Sequence, residues 1–371
     1  MTLPADIQIT LPLWYDLHTH IRQEGLMGPV LASQIAMGCC GVLAMPNTRP
    51  PVAVVSKRDE GLYWSIESYR EALKRAGGDV LEEIIVPLYL TKDTTPQQIE
   101  AGARSGLLRA CKYYPPHGTT GADFGYPFKN FMENGVFQAM EDHGVVLCIH
   151  GEEHHMPPET YFSAHSNAED AFYKTRMPEL IARFPCLKVV CEHVTTATAV
   201  AFVAQAGPHV VASVTPQHLL YTIGDLLQGL KYHLFCLPLL KFQEDREALR
   251  RAVSAPDNTQ FFAGTDSAPH TRKATECGCA AGCFTGGIAP QLYAQGFESA
   301  GLDLSQAVAQ QAFRAFLCEN GRRFYTLPEP AGTFMLTKTP QTLEKLGTPD
   351  GDLIPLPLGL GQADIPWRLT L

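Results

Sequence analysis

The segment DLHTHIRQ, at residues 16 to 23, holds two histidines separated by one residue, directly after an apolar run. Alternate residues of an extended segment point the same way, so His18 and His20 could place both imidazoles on one metal ion. Neutral imidazole is a good ligand for zinc. Because ordinary polar residues also end strands, an H-x-H pair alone is weak evidence. The pair indicates a metal site only in combination with further ligands.

Other potential metal ligands also lie at or near the ends of apolar runs. Lys112 lies in LRACKYY, His150 and His193 end VVLCIH and KVVCEH, and Asp266 ends FFAGTD. A single histidine there is more typical of a hydrogen-bonded core residue. A buried lysine is rare, and its alternatives are a snorkelling side chain or a salt bridge. Four histidines and an aspartate at predicted strand ends fit these alternatives poorly, so the set indicates a metal centre.

The elements that would position these residues follow a regular alternation. Eight short apolar runs, rich in β-branched residues, lie at 13–18, 42–46, 84–90, 108–114, 145–150, 188–193, 210–214 and 261–266. Segments with helical spacing lie between them, among others at 56–76, 131–143, 168–184 and 244–255. The alternation predicts a (β/α)₈ barrel, whose active site forms at the carboxyl ends of the strands. We expect one domain over 1–371, with the tail from about 328 wrapping the barrel.

Composition and charge exclude several classes of protein. The 371 residues are 45% hydrophobic and 18% charged, as in a globular protein with a sizeable core. The net charge of -9 is spread without long runs, which argues against a nucleic-acid partner. The N-terminus has no basic segment followed by an apolar one, and no later stretch has the apolar length of a membrane span. We therefore expect an unexported cytoplasmic protein without a membrane partner.

The cysteines favour a reducing compartment. Their number, 11, is odd, and their spacing shows no regular disulfide framework. Most are expected to be small core residues. Cys277, Cys279 and Cys283 lie close together, but the cluster lacks a C-x-x-C pair, so a structural zinc site is the less favoured interpretation.

Seven motifs together resemble one known family. They are DLHTHIRQ, MPNTRPP, CKYYPPHGTT, CIHGE, EHVTT, CLPLLK and GTDSAPH, and they occur in the expected order from Asp16 to about Cys283. The chain resembles dihydroorotase of the short, class II type, within the amidohydrolase superfamily. The resemblance covers most of the chain and implies the barrel fold inferred from the alternation.

The resemblance also implies the ligand set and the reaction. Lys112 would be carboxylated, and its carbamate would bridge two zinc ions. His18, His20 and Asp266 would complete one metal site, and His150 and His193 the other, with a hydroxide between the ions. The implied reaction is the reversible cyclisation of N-carbamoyl-L-aspartate to L-dihydroorotate with loss of water, in pyrimidine biosynthesis. Asp266 would be the general acid and base.

The resemblance implies a set of substrate contacts as well. They are His20, Arg22, Asn47, Thr119, Thr120, His150, Leu237, His270 and Ala281. Arg22 would clamp the unreactive carboxylate, while Asn47 and His270 would donate further hydrogen bonds. Without the resemblance, each of these three is more typical of surface or turn residues. The segment CGCAAGCF has one alanine more than the expected pattern, so Ala280 is the alternative to Ala281.

The loop at 115–125 is rich in glycine and hydroxyl groups, which suits a mobile loop that closes over a small substrate. Thr119 and Thr120 match a threonine pair of the family, although such pairs in loops are usually solvated. His154 and His155 match no family position, and we expect them to be surface residues.

Two alternatives remain open. A hydantoinase-like or allantoinase-like enzyme would keep the metal centre and act on another cyclic amide. A catalytically silent barrel would serve as a structural partner of another enzyme, but the complete ligand set argues against it. The resemblance further implies a homodimer.

Overall fold

Strands and helices alternate along most of the computed structural model, which describes residues 7–119, 121–164, 166–276 and 278–371. The strands in these ranges are β1 Gln8–Pro12, β2 Trp14–Thr19, β3 Cys39–Ala44, β4 Val52–Val54, β5 Trp64–Ser65, β6 Glu83–Ile85, β7 Leu88–Tyr89, β8 Ala110–Tyr113, β9 Val146–His150, β10 Val189–Glu192, β11 Val210–Val214, β12 Phe261–Ala263, β13 Ala274–Thr275, β14 Gly278–Cys279, β15 Thr333–Thr337, β16 Gln341–Thr342, β17 Asp364–Ile365 and β18 Arg368–Thr370.

The helices in the same ranges are α1 Glu24–Ala36, α2 Ile66–Arg75, α3 Pro96–Arg104, α4 Phe128–Glu133, α5 Val136–Asp142, α6 Pro158–Tyr161, α7 Ala168–Arg183, α8 Ala197–Gln205, α9 Pro216–Leu220, α10 Ile223–Leu227, α11 Gln243–Ser254, α12 Ala289–Ser299, α13 Ala307–Arg314, α14 Asn320–Phe324 and α15 Leu356–Gly359. Short 3₁₀ turns lie at Lys57–Asp59, Gly78–Val80 and Tyr232–Leu234, and a π turn at Ala315–Glu319. No helix in the described ranges is both long and apolar enough to cross a membrane.

Parallel strands form the wall of a barrel. One sheet has the order β2-β3-β6, and a second has the order β7 to β12 without interruption. The circle closes where Thr19 forms a parallel bridge with Ser267, beside hydrogen bonds from the Asp266 amide to the His18 carbonyl (2.8 Å) and from the His20 amide to the Ser267 carbonyl (3.0 Å). The predicted barrel of alternating strands and helices is confirmed.

The barrel strands are buried on both faces, which explains their continuous apolar runs. Every residue of β8, β9, β10 and β11 is buried. Side chains alternate along each strand, and one set fills the barrel while the other packs towards the helices. The interior set includes Tyr15, Leu43, Ala110, Val146, Cys148, Val190 and Val211. Lys112 therefore follows Ala110, and Glu192 follows Val190, on the interior side.

Each of the eight predicted runs overlaps a strand, although β3 begins three residues before its run, and two further differences appear. The third run holds both β6 and β7, because Pro87 lies between them and lacks the amide hydrogen that a continuous strand needs. The eighth strand, β12, ends at Ala263, so Asp266 lies three residues beyond it. The predicted helix at 131–143 is divided between α4 and α5 at Gly135, whose φ of 85° is left-handed.

The end of the chain pairs with its beginning. β15 runs antiparallel to β1 from Gln8↔Thr337 to Pro12↔Thr333, and β18 pairs with the other edge of β15. The resulting three-stranded sheet is separate from the barrel wall. The segment after Pro328 is thus tied to the N-terminal region by main-chain hydrogen bonds.

Candidate active site

A pocket that encloses about 360 Å³, part of it open to solvent, lies at the carboxyl ends of the barrel strands. Its walls are formed by His18, His20, Arg22, Asn47, Tyr114, Thr119, His150, His193, Leu237, Asp266, Ala268, Ala281 and Gly282. All the site residues predicted from the sequence are among them, except Lys112, His270 and Thr120. Lys112 and His270 contact residues of the wall. Thr120 lies outside the described residues, as does Cys277 of the cysteine cluster.

Three of the non-glycine wall residues have a left-handed backbone. The φ angles are 66° at Arg22, 40° at His193 and 46° at Asp266. Non-glycine residues adopt this region at a cost, and such residues cluster at functional sites because the surrounding structure holds them there. At His193, the turn carries the chain out of β10 and is held by a hydrogen bond from the His193 amide to the Ser213 hydroxyl (2.8 Å).

Three potential ligand groups converge at the base of the cavity. One ligand atom from each of His18, His193 and Asp266 lies within 4.8 Å of the others. Asp266 Oδ1 is 3.3 Å from His18 Nε2 and 2.9 Å from His20 Nε2. The rings of His150 and His193 are 4.7 Å apart. The four histidines and the aspartate therefore form one buried cluster.

Lys112 contributes a buried amine to this cluster. Its side chain is fully buried, and Nζ has no hydrogen-bond partner among the described residues. The amine lies 5.1 Å from the centre of the Tyr114 ring. Burial lowers the pKa of Lys112, which favours the neutral amine that carboxylation requires. An orphaned amine next to histidines fits a carbamate ligand of a metal centre better than it fits a structural ammonium group.

The protonation of His20, His193 and Asp266 suits metal binding. Burial, reinforced by the Arg22 charge, lowers the pKa of His20 to about 4 against the opposing hydrogen bond to Asp266. Burial and the Lys112 charge hold the pKa of His193 well below its usual range. Burial would raise the pKa of Asp266, but hydrogen bonds with His18 and His20 outweigh it and keep the pKa far below normal. Neutral imidazoles and an ionised carboxylate are the forms that bind divalent metals.

Two buried glutamates complete the cluster and were missed by the sequence reasoning. Glu192 Oε2 is 2.7 Å from His18 Nδ1 and also accepts a hydrogen bond from the Ser213 hydroxyl. Glu152 Oε2 is 2.7 Å from His150 Nε2. Carboxylates in contact with ligand histidines fix the ring orientation and the tautomer. The signal for Glu192 was present, since it alternates with Val190 along β10 and therefore faces the interior.

The cavity wall also carries a cation, Arg22. Arg22 Nε donates to the Pro269 carbonyl (3.3 Å), and Nη2 lies 3.2 Å from His270 Nε2. His270 Nε2 is also 2.8 Å from the Ala281 carbonyl. Burial, reinforced by the Arg22 charge, lowers the pKa of His270 to about 3, so the ring is neutral. Because a carbonyl only accepts, His270 Nε2 donates to Ala281, and the bond to Pro269 is the one that holds the guanidinium at the cavity wall. Its other N–H groups are available for an anion.

His154 and His155 remain without a role in the cavity. Their rings are 4.9 Å apart, and His154 Nδ1 is 3.5 Å from Glu153 Oε1. Neither lies among the residues that form the cavity wall.

The parallel barrel, and the buried histidine, aspartate and lysine cluster at its carboxyl end, define a metal-dependent hydrolase of the amidohydrolase class. No family model matches the chain. A curated dihydroorotase from Halorhodospira halophila is 39% identical over 366 residues, which cover 97% of this chain and 98% of that protein. The chain therefore belongs to the dihydroorotase family.

Solved structures agree with this assignment. The dihydroorotase of Saccharomyces cerevisiae, solved in complex with 5-fluoroorotic acid, has a TM-score of 0.84, 27% sequence identity and 98% coverage of both chains. The dihydropyrimidinase of Brevibacillus agri has a TM-score of 0.68 at 15% identity, covering 91% of this chain and 78% of that one. At that identity the second likeness shows the shared fold alone.

Proposed function

We propose that this chain catalyses the reversible cyclisation of N-carbamoyl-L-aspartate to L-dihydroorotate and water, the dihydroorotase step of pyrimidine biosynthesis. The observation that carries the proposal is a cavity that joins a buried cluster of potential metal ligands to an arginine suited to a carboxylate. The reactive amide of the substrate needs the ligand cluster, and its unreactive carboxylate needs the arginine. Membership in the dihydroorotase family supports the same reaction.

The residues fit a centre of two zinc ions. His18, His20 and Asp266 would hold one ion, His150 and His193 the other, and carboxylated Lys112 would bridge them. The buried Lys112 amine without a hydrogen-bond partner supports the bridge. Bound zinc supplies Lewis acidity and makes hydroxide available near neutral pH. Glu192 and Glu152 would orient His18 and His150 from outside the ligand set.

Arg22 would orient the substrate by its unreactive carboxylate. The guanidinium is planar and pairs with a carboxylate through two parallel N–H donors. Asn47, His270 and Ala281 would contribute further contacts to this end, and Leu237 would contact the ring through its main chain. The carbonyl next to the ring methylene would then face the ligand cluster, as hydrolysis requires.

Asp266 would move the proton. Its contacts with His18 and His20 both involve Oδ1, so Oδ2 is not occupied by either imidazole. In hydrolysis the carboxylate takes a proton from the attacking water, the carbon–nitrogen bond breaks, and the proton passes to the ring nitrogen. In cyclisation the same group protonates the leaving oxygen. The low pKa of Asp266 keeps it ionised before the proton transfer.

The loop that follows Lys112 would cover the substrate. Thr119 lies in the cavity wall, and Thr120 is proposed as its partner in hydrogen bonding the substrate. Gly121 has a φ of 75°, and a Cβ there would lie 3.2 Å from the Asn47 carbonyl oxygen. Glycine thus allows the loop to approach Asn47 closely, which helps to exclude water from the reaction.

We further propose a cytoplasmic homodimer in which residues 1–371 form one domain. The sheet of β1, β15 and β18 supports the single domain, because it joins the two terminal regions. The described cysteines are free thiols, most of them buried, which supports a reducing compartment. The motif resemblance supports the dimer. No nucleic acid or membrane partner is proposed, in keeping with the dispersed negative charge.

The first experiment measures hydrolysis of L-dihydroorotate by the purified, zinc-supplemented chain, with N-carbamoyl-L-aspartate as the detected product. Hydantoin and allantoin serve as competing substrates. Asp266→Asn should abolish turnover, whereas Asp303→Asn on the surface serves as the matched control. Turnover of hydantoin or allantoin but not of L-dihydroorotate would show that the substrate is another cyclic amide. Absence of both turnover and bound metal would favour the silent barrel.

A further inference from the structure

We propose that Lys273 is a positioning residue that holds together the two main-chain segments of the substrate pocket; this inference rests on the proposed dihydroorotase function. Lys273 follows His270 by three residues and was not singled out by any motif. Its side chain is only 7% exposed. Within the described residues it forms no ion pair with a carboxylate, although a buried ammonium group normally has one.

The partners of the Lys273 ammonium group are three main-chain carbonyls. Nζ donates to the oxygens of Phe235 (3.0 Å), Ala280 (2.5 Å) and Gly282 (2.5 Å). An ammonium group has three N–H donors and no acceptor, so this arrangement satisfies all of them. Methionine in its place would leave the buried Gly282 carbonyl and the partly buried carbonyls of Phe235 and Ala280 with fewer partners, and such losses are costly.

The three carbonyls belong to the two segments that border the substrate. Phe235 lies two residues before Leu237, while Ala280 and Gly282 flank Ala281; Leu237 and Ala281 both line the cavity. The Gly282 amide also donates to the Phe235 carbonyl (2.9 Å), so the segments meet at one point. A shift of either segment would displace the main-chain groups assigned to the substrate.

Charge gives Lys273 a second effect. Three carbonyl dipoles point their negative ends at one site close to a pocket that receives a carboxylate. The ammonium group neutralises this concentration of negative potential, and its charge acts in the same direction as that of Arg22. Because Lys273 lies outside the cavity wall, its influence passes through the segments that it holds.

The test uses Lys273→Met in the zinc-loaded full chain, with Lys129→Met, a 75% exposed side chain on α4, as the matched control. We expect the KM for L-dihydroorotate to rise roughly ten- to hundredfold, while kcat changes less than about threefold and zinc content is unchanged. The Kd of 5-fluoroorotate, measured by calorimetry, should rise by a similar factor. Hydrogen exchange of the Gly282 amide should accelerate, since its segment is released.

Each outcome decides the proposal. The proposal would be overturned if Lys273→Met had the same KM, Kd and exchange rate as Lys129→Met. A fall in kcat at constant KM, or a loss of zinc, would overturn it as well. If Lys273→Met does not fold, Lys273→Arg keeps the charge but not the threefold donor geometry, and we expect a smaller rise of the Kd; an unchanged Kd would overturn the proposal. If the wild-type chain does not hydrolyse L-dihydroorotate, the proposed function fails, while the Gly282 exchange still decides whether Lys273 holds the segments.

Discussion

Replacement of Arg22 by methionine tests the proposed carboxylate contact separately from the proposed metal centre. Arg22 Nε donates to the Pro269 carbonyl at 3.3 Å, which orients the guanidinium plane and leaves the other N–H groups for a carboxylate. Methionine keeps much of the apolar stem and removes every donor. The left-handed φ of 66° strains both residues equally, so the substitution should change stability little.

The magnitude follows from the number of bonds lost. A hydrogen bond to a charged group contributes about 1.5–3 kcal/mol, and the lost carboxylate pair has two of them, partly replaced by water. A net loss of about 3 kcal/mol corresponds to roughly a hundredfold rise in the KM for L-dihydroorotate. Arg22→Lys keeps the charge but not the planar fork, and we expect roughly a tenfold rise.

The assay combines steady-state kinetics with zinc analysis of the same preparation. Arg58→Met is the matched control, because the Arg58 side chain is 86% exposed and should leave the KM unchanged. The zinc content of Arg22→Met should equal that of the wild type, since Arg22 is not a ligand. An unchanged KM would refute the carboxylate contact, and loss of zinc would show that Arg22 belongs to the metal centre instead.

Three further predictions concern the metal, pH and packing. Lys112→Ala should lower the zinc content and reduce turnover by at least about a hundredfold, as checked by atomic absorption and kinetics; unchanged values would exclude the bridge. The folded-state pKa of His270, about 3, lies below its usual 6.5, so below pH 6.5 the unfolded chain binds a proton that the folded chain does not. The free energy of unfolding should therefore decrease as the pH is lowered. Denaturant titrations should show that the decrease in the free energy of unfolding between roughly pH 7.5 and 5 is about 2 kcal/mol smaller in His270→Asn than in the wild type. The same pH dependence in both proteins would refute the burial of a neutral His270 ring. A Cβ at Gly41 would lie 2.6 Å from the Tyr15 ring, so Gly41→Ala should cost about 2 kcal/mol or more of stability, whereas Gly61→Ala, with nothing within 4 Å, should be nearly neutral.

The fold was predictable because its central strands are buried on both faces. Runs such as VVASV at β11 are wholly apolar or small, which is typical of parallel strands between helices and a filled barrel. The end of a strand is less predictable, since FFAGTD reads as one run although β12 stops at Ala263. The chain then turns at Asp266, whose φ of 46° is left-handed, and no residue pattern in the sequence predicts that turn.

The gathering of potential ligands was predictable where they end apolar runs. His18, His20, His150, His193 and Asp266 were predicted because they lie at or just beyond the ends of such runs, and all five line the same cavity. Glu192 lies one residue before the end of its run, which is why it was not predicted, although alternation with Val190 points it inwards as well.

Other features had no sequence signal at all. The Lys273 ammonium group binds carbonyls of residues 7, 9 and 38 positions away, and every residue has a carbonyl. The contact of Glu152 with His150 depends on the path of the chain just after β9. Such interactions are set by tertiary structure and cannot be read from residue types.

The closure of the barrel gives the site a mechanical role. The first and last barrel strands meet through the Thr19–Ser267 bridge, and the side chains that face each other across this seam are His18 and His20 on one side and Asp266 on the other. The same groups therefore fasten the two ends of the wall and bear the proposed chemistry. A substitution that removes one of these side chains should therefore weaken the side-chain contacts across the closure of the barrel as well as the proposed metal centre.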